Sequence, residues 1–318
     1  METWGCLSNT NQAAWLSGGL ALLHIVEYFI QKLTQKCGKI SDHFMSSKDR
    51  NRTGGDTILR KTFFFFIALC AIAIGLSGCS PSSTNPKEET KPDDGTLPFI
   101  NATYALITVD NGVDLKLFGG VEPSSANAEM MKEVLQDSWS ITDAESAEST
   151  IQWLLTEGHN AEFMTYMNEY LARKDEFNDI IAEMKTSSNP TSEEIKFTES
   201  VELFAKVHTT SPKYGIAAWD LCRATQVASW SYIAGYIPYE HAVELSIEAA
   251  EKMRERFSSW EELLGNYLLG YQYWSEESLS DPNSNLVRRQ KIYADLLKSS
   301  DNPYSIDWNT PLSMPAKN

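Results

Sequence analysis

The chain has 318 residues, 42% of them hydrophobic, and its 27 Lys and Arg face 43 Asp and Glu, for a formal net charge of −16 at pH 7. This charge argues against nucleic acid as a partner, because nucleic acid requires concentrated positive surface, and against attraction to anionic lipid headgroups. No metal-ligand spacing, phosphate-binding loop or nucleophile motif occurs, so we expect neither a metal nor another cofactor.

The first 58 residues are interpreted as a non-native extension. Export signals begin at the amino terminus, whereas the signal described next begins at Leu59. Gly54-Gly55 lies a few codons upstream of Leu59, and a purine-rich ribosome-binding site is commonly translated as Gly-Gly. We therefore expect translation to start at a UUG codon for Leu59.

Residues 59–78 predict a lipoprotein signal peptide. The basic pair Arg60-Lys61 precedes an apolar stretch over residues 63–76, which Leu76-Ser77-Gly78-Cys79 closes. The apolar stretch can insert into a membrane but is short for a permanent span, so an ordinary transmembrane anchor is the less favoured alternative. The closing residues resemble the cysteine box of bacterial lipoproteins. That resemblance implies cleavage before Cys79 and attachment of palmitate-type chains to it.

The signal sets the expected location and the redox state of the remaining cysteine. We expect a protein of the bacterial cell envelope, held to the membrane by its lipid alone. By resemblance, Ser80 favours the outer membrane if the host has two membranes. Once Cys79 is acylated, Cys222 has no cysteine left to pair with between residues 79 and 318, and a buried, inert thiol is the expected state.

Composition divides the rest of the chain into three parts. Residues 79–97 are rich in Ser, Thr, Pro and charged residues and predict a flexible tether. Residues 98–302 contain regularly recurring apolar residues and are long enough for one domain with a sizeable core. Residues 303–318 are interpreted as a C-terminal tail.

Amphipathic periodicity predicts a mostly α-helical fold, a single compact multi-helix domain. One helix begins at the capping box Thr142–Glu145 and stops at Gly158. Further helices are predicted over residues 160–173, 176–185, 193–207, 216–234, 238–257, 259–274 and 285–298. The helix over residues 259–274 follows a second capping box, at Ser258–Glu261, and is apolar around much of its circumference, so we expect it to be central.

Residues 104–118 leave two alternatives open. Apolar and polar residues alternate around Asp110-Asn111-Gly112, which favours a small β-hairpin with Asn-Gly as its turn. The same residues fit a helix over residues 99–109 that ends at Gly112, because short apolar runs are ambiguous by period alone.

Spaced Trp, Asp, Arg and Gly residues run through most of residues 100–275. They are Ser138-Trp139-x-Ile141, Trp153-Leu154-Leu155-x-Glu157-Gly158-His159, Trp219-Asp220-x-x-Arg223, Tyr232-x-x-Gly235-Tyr236-Ile237, and Ser259-Trp260-Glu261-Glu262 with Tyr267, Gly270 and Trp274. This pattern resembles a bacterial domain of unknown function typified by the YbeU and YbeR proteins. Since that family has no assigned activity, the resemblance implies a fold and no reaction.

Charged and aromatic residues of this pattern are the candidates for an ionic cluster in a Trp-lined groove. Asp220 and Arg223 lie three residues apart on a helix and can pair, and Glu262 follows a helix start. These three residues are the catalytic candidates. The groove candidates are Trp219, Trp260, Trp274 and Tyr236. We favour a structural interpretation over a functional pocket: these residues form a network that pins two helices together, and we therefore expect Arg223→Ala to destabilise the fold more than it affects binding.

Two functions fit the sequence. The first is an envelope lipoprotein whose acidic helical domain binds another protein or a small ligand. The second is a hydrolase-like or transferase-like enzyme that uses Asp220, Arg223 and Glu262. The geometry of these three residues discriminates between the two functions.

Overall fold

A computed structural model describes residues 95–314, and every regular element in this part of the chain is helical. The mostly α-helical class is confirmed. The helices are α1 (Thr96–Thr103), α2 (Ala105–Asp110), α3 (Ser125–Trp139), α4 (Ala144–Thr156), α5 (Gly158–Ala172), α6 (Lys174–Met184), α7 (Ser192–Thr210), α8 (Ala217–Ile233), α9 (Tyr239–Arg254), α10 (Trp260–Ser275) and α11 (Asn285–Leu296). The predicted extension, the signal peptide, Cys79 and the tether up to residue 94 lie outside the described residues.

The chain divides into two compact units, which we describe separately. The smaller includes residues 174–198, which form α6 and the beginning of α7. Phe177 and Phe197 are buried there, with their ring centroids 6.0 Å apart. The larger unit includes residues 95–173 and 199–314, and it contains every candidate site residue that the structure describes.

Helix α8 is the centre of the larger unit. It packs against α3, α4, α5, α9 and α10. Small buried side chains recur along it, namely Ala217, Ala218, Cys222, Ala224, Ala228, Ser229 and Ser231. Small side chains let neighbouring helices approach closely from several directions.

The expectation that the helix over residues 259–274 is central was wrong. That helix is α10, which is one neighbour of α8 and leaves Trp274 46% exposed. The apolar circumference of a helix did not predict which helix is central. The small residues of α8 decide this, because they allow several helices to surround it. In residues 95–314 no helix is both long and apolar enough to cross a membrane.

The structure agrees with the helical alternative and not with a hairpin: in place of one helix over residues 99–109 it has α1 and α2, interrupted at Tyr104, and no strand occurs among the described residues. Gly112 follows α2 with φ of +68°, a left-handed conformation that glycine adopts without strain. Val113 N then donates to Thr108 O and closes the helix end. The buried Tyr104 hydroxyl donates to Asn101 Oδ1 and accepts from Gly119 N, which ties the following loop to α1.

The observed helices lie close to their predicted positions, whereas the observed N-terminal caps differ from the predicted capping boxes. The predicted helices over residues 160–173, 216–234 and 285–298 correspond to α5, α8 and α11. The cap of α4 is Asp143 with Ser146, one residue later than the predicted capping box. Helix α3 was not predicted, because only Met131 and Leu135 of its residues are buried and its apolar stripe is weak.

The segment after residue 302 belongs to the packed structure. Tyr304 and Trp308 are buried against Trp260, with ring centroids 5.7 and 5.0 Å away. Trp260 Nε1 donates to Ile306 O at 2.9 Å. Residues 303–314, which the sequence leaves outside the helical domain, therefore complete the core of the larger unit at the start of α10.

His241 joins α9 to α4 and should make stability depend on pH. Its Nε2 lies 2.8 Å from Glu148 Oε2, its Nδ1 lies 3.6 Å from Glu244, and the hydrogen bond to Glu148 raises the pKa of His241 above 6.5. A raised pKa contributes stability below pH 6.5, and that contribution disappears as pH rises through the pKa of the folded state. As the pH rises from 6.5 through the pKa of His241 in the folded protein, we expect the wild type to lose stability relative to His241→Gln. The loss should be small, because the ion pair is partly exposed. Urea midpoints of both proteins at several pH values would measure the difference, and parallel pH profiles would contradict it.

Candidate functional site

Asp220 caps the N-terminus of α5 from the centre of the larger unit. Its Oδ1 accepts from His159 N at 2.9 Å, and its Oδ2 accepts from Asn160 N at 2.8 Å. The ring Nδ1 of His159 lies 2.7 Å from Oδ1. Asp220 is only 2% exposed. Its carboxylate therefore satisfies the free N–H groups of a helix start, where the helix dipole also favours negative charge.

Gly158 makes this contact possible. It has φ of +54°, and a Cβ placed on it would lie 2.3 Å from the Asp220 carboxyl carbon. Asn160 extends the junction, because its Oδ1 accepts from Ile216 N at 2.7 Å. As the sequence predicted, the preceding helix stops at Gly158: α4 ends at Thr156, and Gly158 is also the first residue of α5.

Arg223 does not pair with Asp220, contrary to the expectation from their spacing. Within residues 95–314, no carboxylate lies within ion-pair distance of Arg223 and no protein group accepts a hydrogen bond from it. Its guanidinium carbon lies 4.6 Å from the ring centroid of Trp139 and 5.2 Å from that of Trp219. The side chain is half-buried with Nε sealed from solvent, and burial lowers the pKa of Arg223 to about 10. Arg223 is thus a charged donor held by aromatic rings alone.

A second buried arginine lies on the far side of the same aromatic cluster. Arg289, from α11, is 6% exposed. It donates to the Tyr267 hydroxyl at 3.0 Å, and its guanidinium carbon lies 4.1 Å from the ring centroid of Tyr271. Both tyrosines contact Trp219, at ring distances of 5.2 and 5.7 Å. We call Trp139, Trp219, Arg223, Tyr267, Tyr271 and Arg289 the arginine–aromatic cluster.

Negative charge within the cluster is scarce. Asp110 lies 3.3 Å from Arg289 and also pairs with the half-exposed Arg288 at 2.9 Å. Burial raises the pKa of Tyr267, and raises that of Tyr271 to about 12, so both phenols are neutral at neutral pH. Arg289 therefore has a carboxylate partner in Asp110, whereas Arg223 has none among the described residues.

The predicted tryptophan groove is only partly assembled. Trp219 and Trp274 contact each other, with ring centroids 5.5 Å apart. Trp260 lies at the other end of α10 from Trp274, about 21 Å along the helix axis at 1.5 Å per residue. Its ring packs against that of Phe99, with the ring centroids 4.6 Å apart. Tyr236 is partly buried in the same core as α8 but makes no ring contact with these tryptophans in the described residues.

Glu262 also lies apart from Asp220 and Arg223. Its carboxylate accepts hydrogen bonds from Ser258 N at 2.7 Å and from Ser258 Oγ at 2.8 Å, and its own N donates to Ser259 Oγ. These hydrogen bonds to Ser258 lower the pKa of Glu262. Glu262 therefore completes the cap at the start of α10, one residue later than the predicted capping box.

Trp139, Tyr271, Asp110 and Arg289 were not named as site candidates from the sequence. Arg289 had a detectable signal, because it recurs with the apolar residues Leu286, Tyr293 and Leu296 on one face of α11, a position where an arginine is unusual. Asp110 had no detectable signal in the sequence, since its role depends on the packing of α2 against α11.

Comparison with known families identifies the domain. The model of a family described as Protein of unknown function (DUF1266) matches residues 134–308, more than half of the chain. The chain belongs to the DUF1266 family. The matched stretch includes the whole arginine–aromatic cluster together with Asp220 and Gly158, whereas Asp110 precedes it. Neither the curated proteins nor the solved structures gave a match.

Proposed function

We propose that this DUF1266 protein is a lipid-anchored binding module of the bacterial cell envelope, whose helical domain is of the YbeU and YbeR type but is carried on a lipoprotein signal. In this proposal the signal over residues 59–78 is removed, Cys79 is acylated, and residues 79–97 tether the helical domain to the membrane. The domain then binds another protein or a small ligand at the membrane surface.

The observation that favours binding is the guanidinium of Arg223, which has no protein acceptor among the described residues and whose Nε is sealed from solvent. A charged group that is half-buried and has no protein acceptor loses hydration without regaining a hydrogen bond. Such a cost is often retained where a ligand supplies the missing partner.

The geometry gives no support to the enzymatic alternative. Asp220 uses both carboxylate oxygens to cap α5, and Glu262 caps α10 through Ser258. Arg223 has neither of them as an ion-pair partner. A general acid or base needs a carboxylate within reach of a substrate beside Arg223, and these two carboxylates are engaged elsewhere.

The lipid anchor is supported by the order of the sequence features and by charge. A basic pair, an apolar stretch and a cysteine box are followed directly by a polar tether. With a net charge of −16, electrostatic attraction to anionic headgroups would not hold the protein at a membrane. Two or more acyl chains would hold it stably.

Metabolic labelling tests the anchor. We expect cells fed an alkyne-tagged palmitate to label the wild-type protein, which should fractionate with membranes. Cys79→Ser should abolish the label and the membrane association, because it removes the acylated sulfur. Cys222→Ser is the matched control and should keep both, since Cys222 is buried. An unlabelled wild-type protein in the soluble fraction would refute the anchor.

A further inference from the structure

The arginine–aromatic cluster contains more hydrogen-bond donors than the protein satisfies. Arg223 Nε, Arg289 Nε, Trp139 Nε1 and Trp219 Nε1 are all sealed from solvent without a hydrogen-bond partner in the described residues. Buried polar groups in folded proteins are nearly always paired. Asp110 Oδ1, beside Arg289, also lacks a hydrogen bond, although Arg288 lies 2.9 Å away. Arg223 is the charged group left with neither a hydrogen bond nor an ion pair among the described residues, and an acceptor from outside the chain would complete it.

The ion pairs of the cluster support the same inference. Arg289 pairs with the buried carboxylate of Asp110, which Arg288 also contacts. The buried carboxylate of Asp220 adds a second negative charge, but its oxygens accept hydrogen bonds from the start of α5 and none from Arg223. Arg223 is therefore the guanidinium of the cluster that has no ion-pair partner among the described residues.

We propose that Arg223, whose guanidinium lies against the rings of Trp139 and Trp219, binds the carboxylate group of a small organic acid. This site deepens the proposed function, and it rests on the helical domain acting as a binding module. Two tryptophan faces near a guanidinium leave its in-plane N–H groups for a planar, bidentate acceptor, and a carboxylate matches that fork. A carboxylate also supplies the ion-pair partner that Arg223 lacks among the described residues.

Exposed aromatic rings beside the cluster suggest an apolar body for this acid. Trp274 is 46% exposed and contacts Trp219. Trp153 is 37% exposed and lies 5.0 Å from the ring of His159, which lies 6.4 Å from that of Trp219. Exposed aromatic side chains grouped around a buried polar site are typical of small-molecule pockets. We infer that the ligand carries an aromatic or other apolar group next to its carboxylate.

Calorimetric titration of the full chain in mild detergent tests this site. The probes are sodium benzoate, acetate, the neutral analogue benzamide and inorganic phosphate, each at constant ionic strength. We expect benzoate to bind saturably and to quench tryptophan fluorescence, with acetate weaker. Benzamide and phosphate should bind at least tenfold more weakly than benzoate, because one lacks the charge and the other the apolar body.

Two substitutions separate a ligand-binding arginine from a structural one. Arg223→Met should weaken benzoate binding roughly tenfold or more, while the melting temperature without ligand stays equal or rises, since an unpaired buried charge has been removed. Arg223→Lys keeps the positive charge but lacks the planar guanidinium that donates two parallel hydrogen bonds, so it should bind benzoate several-fold more weakly than wild type. Arg256→Met is the matched control: Arg256 lies 5.9 Å from the Tyr214 ring centroid and already donates to Lys252 O.

Several outcomes would overturn the proposal. Equal binding of benzamide and benzoate would exclude a carboxylate requirement, and tighter binding of phosphate would exclude the ligand class. Unchanged binding by Arg223→Lys would exclude the bidentate contact, and this variant decides the matter if Arg223→Met does not fold. No saturable benzoate binding by wild type would also refute the site. None of these results bears on palmitate labelling, so failure of the site and failure of the anchor are distinguishable.

Discussion

Replacing Asp220 by alanine should lower the free energy of unfolding by about 3 kcal/mol. The substitution leaves the N–H groups of His159 and Asn160, together with the His159 ring, without their acceptor inside the core. Burial of several unsatisfied donors is among the most destabilising effects of a single substitution. Urea denaturation of the full chain in mild detergent, followed by far-ultraviolet circular dichroism, would measure the loss.

Asp143→Ala provides the control for Asp220→Ala. Asp143 also caps a helix, accepting from Ser146 N at 2.8 Å, but it is exposed. Its loss should be clearly smaller, because water can replace the missing acceptor. Asp220→Asn, which keeps one oxygen, should fall between wild type and Asp220→Ala. Equal losses for Asp143→Ala and Asp220→Ala would show that burial of the cap contributes nothing.

Gly270→Ala should destabilise the protein by about 2 to 3 kcal/mol. A Cβ on Gly270 would lie 2.3 Å from Trp219 Cβ and 3.4 Å from Ile216 Cβ. Both contacts are to atoms next to the backbone, so α8 and α10 would have to move apart. Because Trp219 contacts Trp274 and Tyr267 as well, the shift would also disturb the arginine–aromatic cluster.

Gly265→Ala is a matched control on the same helix. A Cβ on Gly265 has no neighbour within 4 Å. Alanine should therefore stabilise α10 by about 0.5 to 1 kcal/mol through its better helix propensity. Urea midpoints of Gly265→Ala, Gly270→Ala and wild type would measure both effects. Similar midpoints for the two variants would contradict the close approach of α8 and α10.

Local sequence signals predicted the helices well and their packing less well. Apolar periodicity placed α5, α8 and α11, because each buries one clear stripe or more. It missed α3, whose buried stripe is weak. It also favoured α10 as the central helix, since periodicity reports how much apolar surface a helix has and not how closely its neighbours can approach.

The site was harder to predict, because its contacts join distant parts of the chain. Asp220 and Arg223 have the spacing of a helical ion pair, yet Asp220 bonds to His159, 61 residues away. Two backbone N–H groups at a helix start compete successfully with a guanidinium for this carboxylate. No local pattern contains that competitor.

The ends of the described chain lie side by side. Thr96 Oγ1 accepts from Ser313 N at 3.0 Å, and Gly95 lies against Thr310, whose carbonyl accepts from Arg254. Tension applied through the chain that precedes residue 95 would therefore act on these contacts before it reached α8. Because the first and last described residues are adjacent, we expect the helical domain to tolerate circular permutation with new termini in a surface loop.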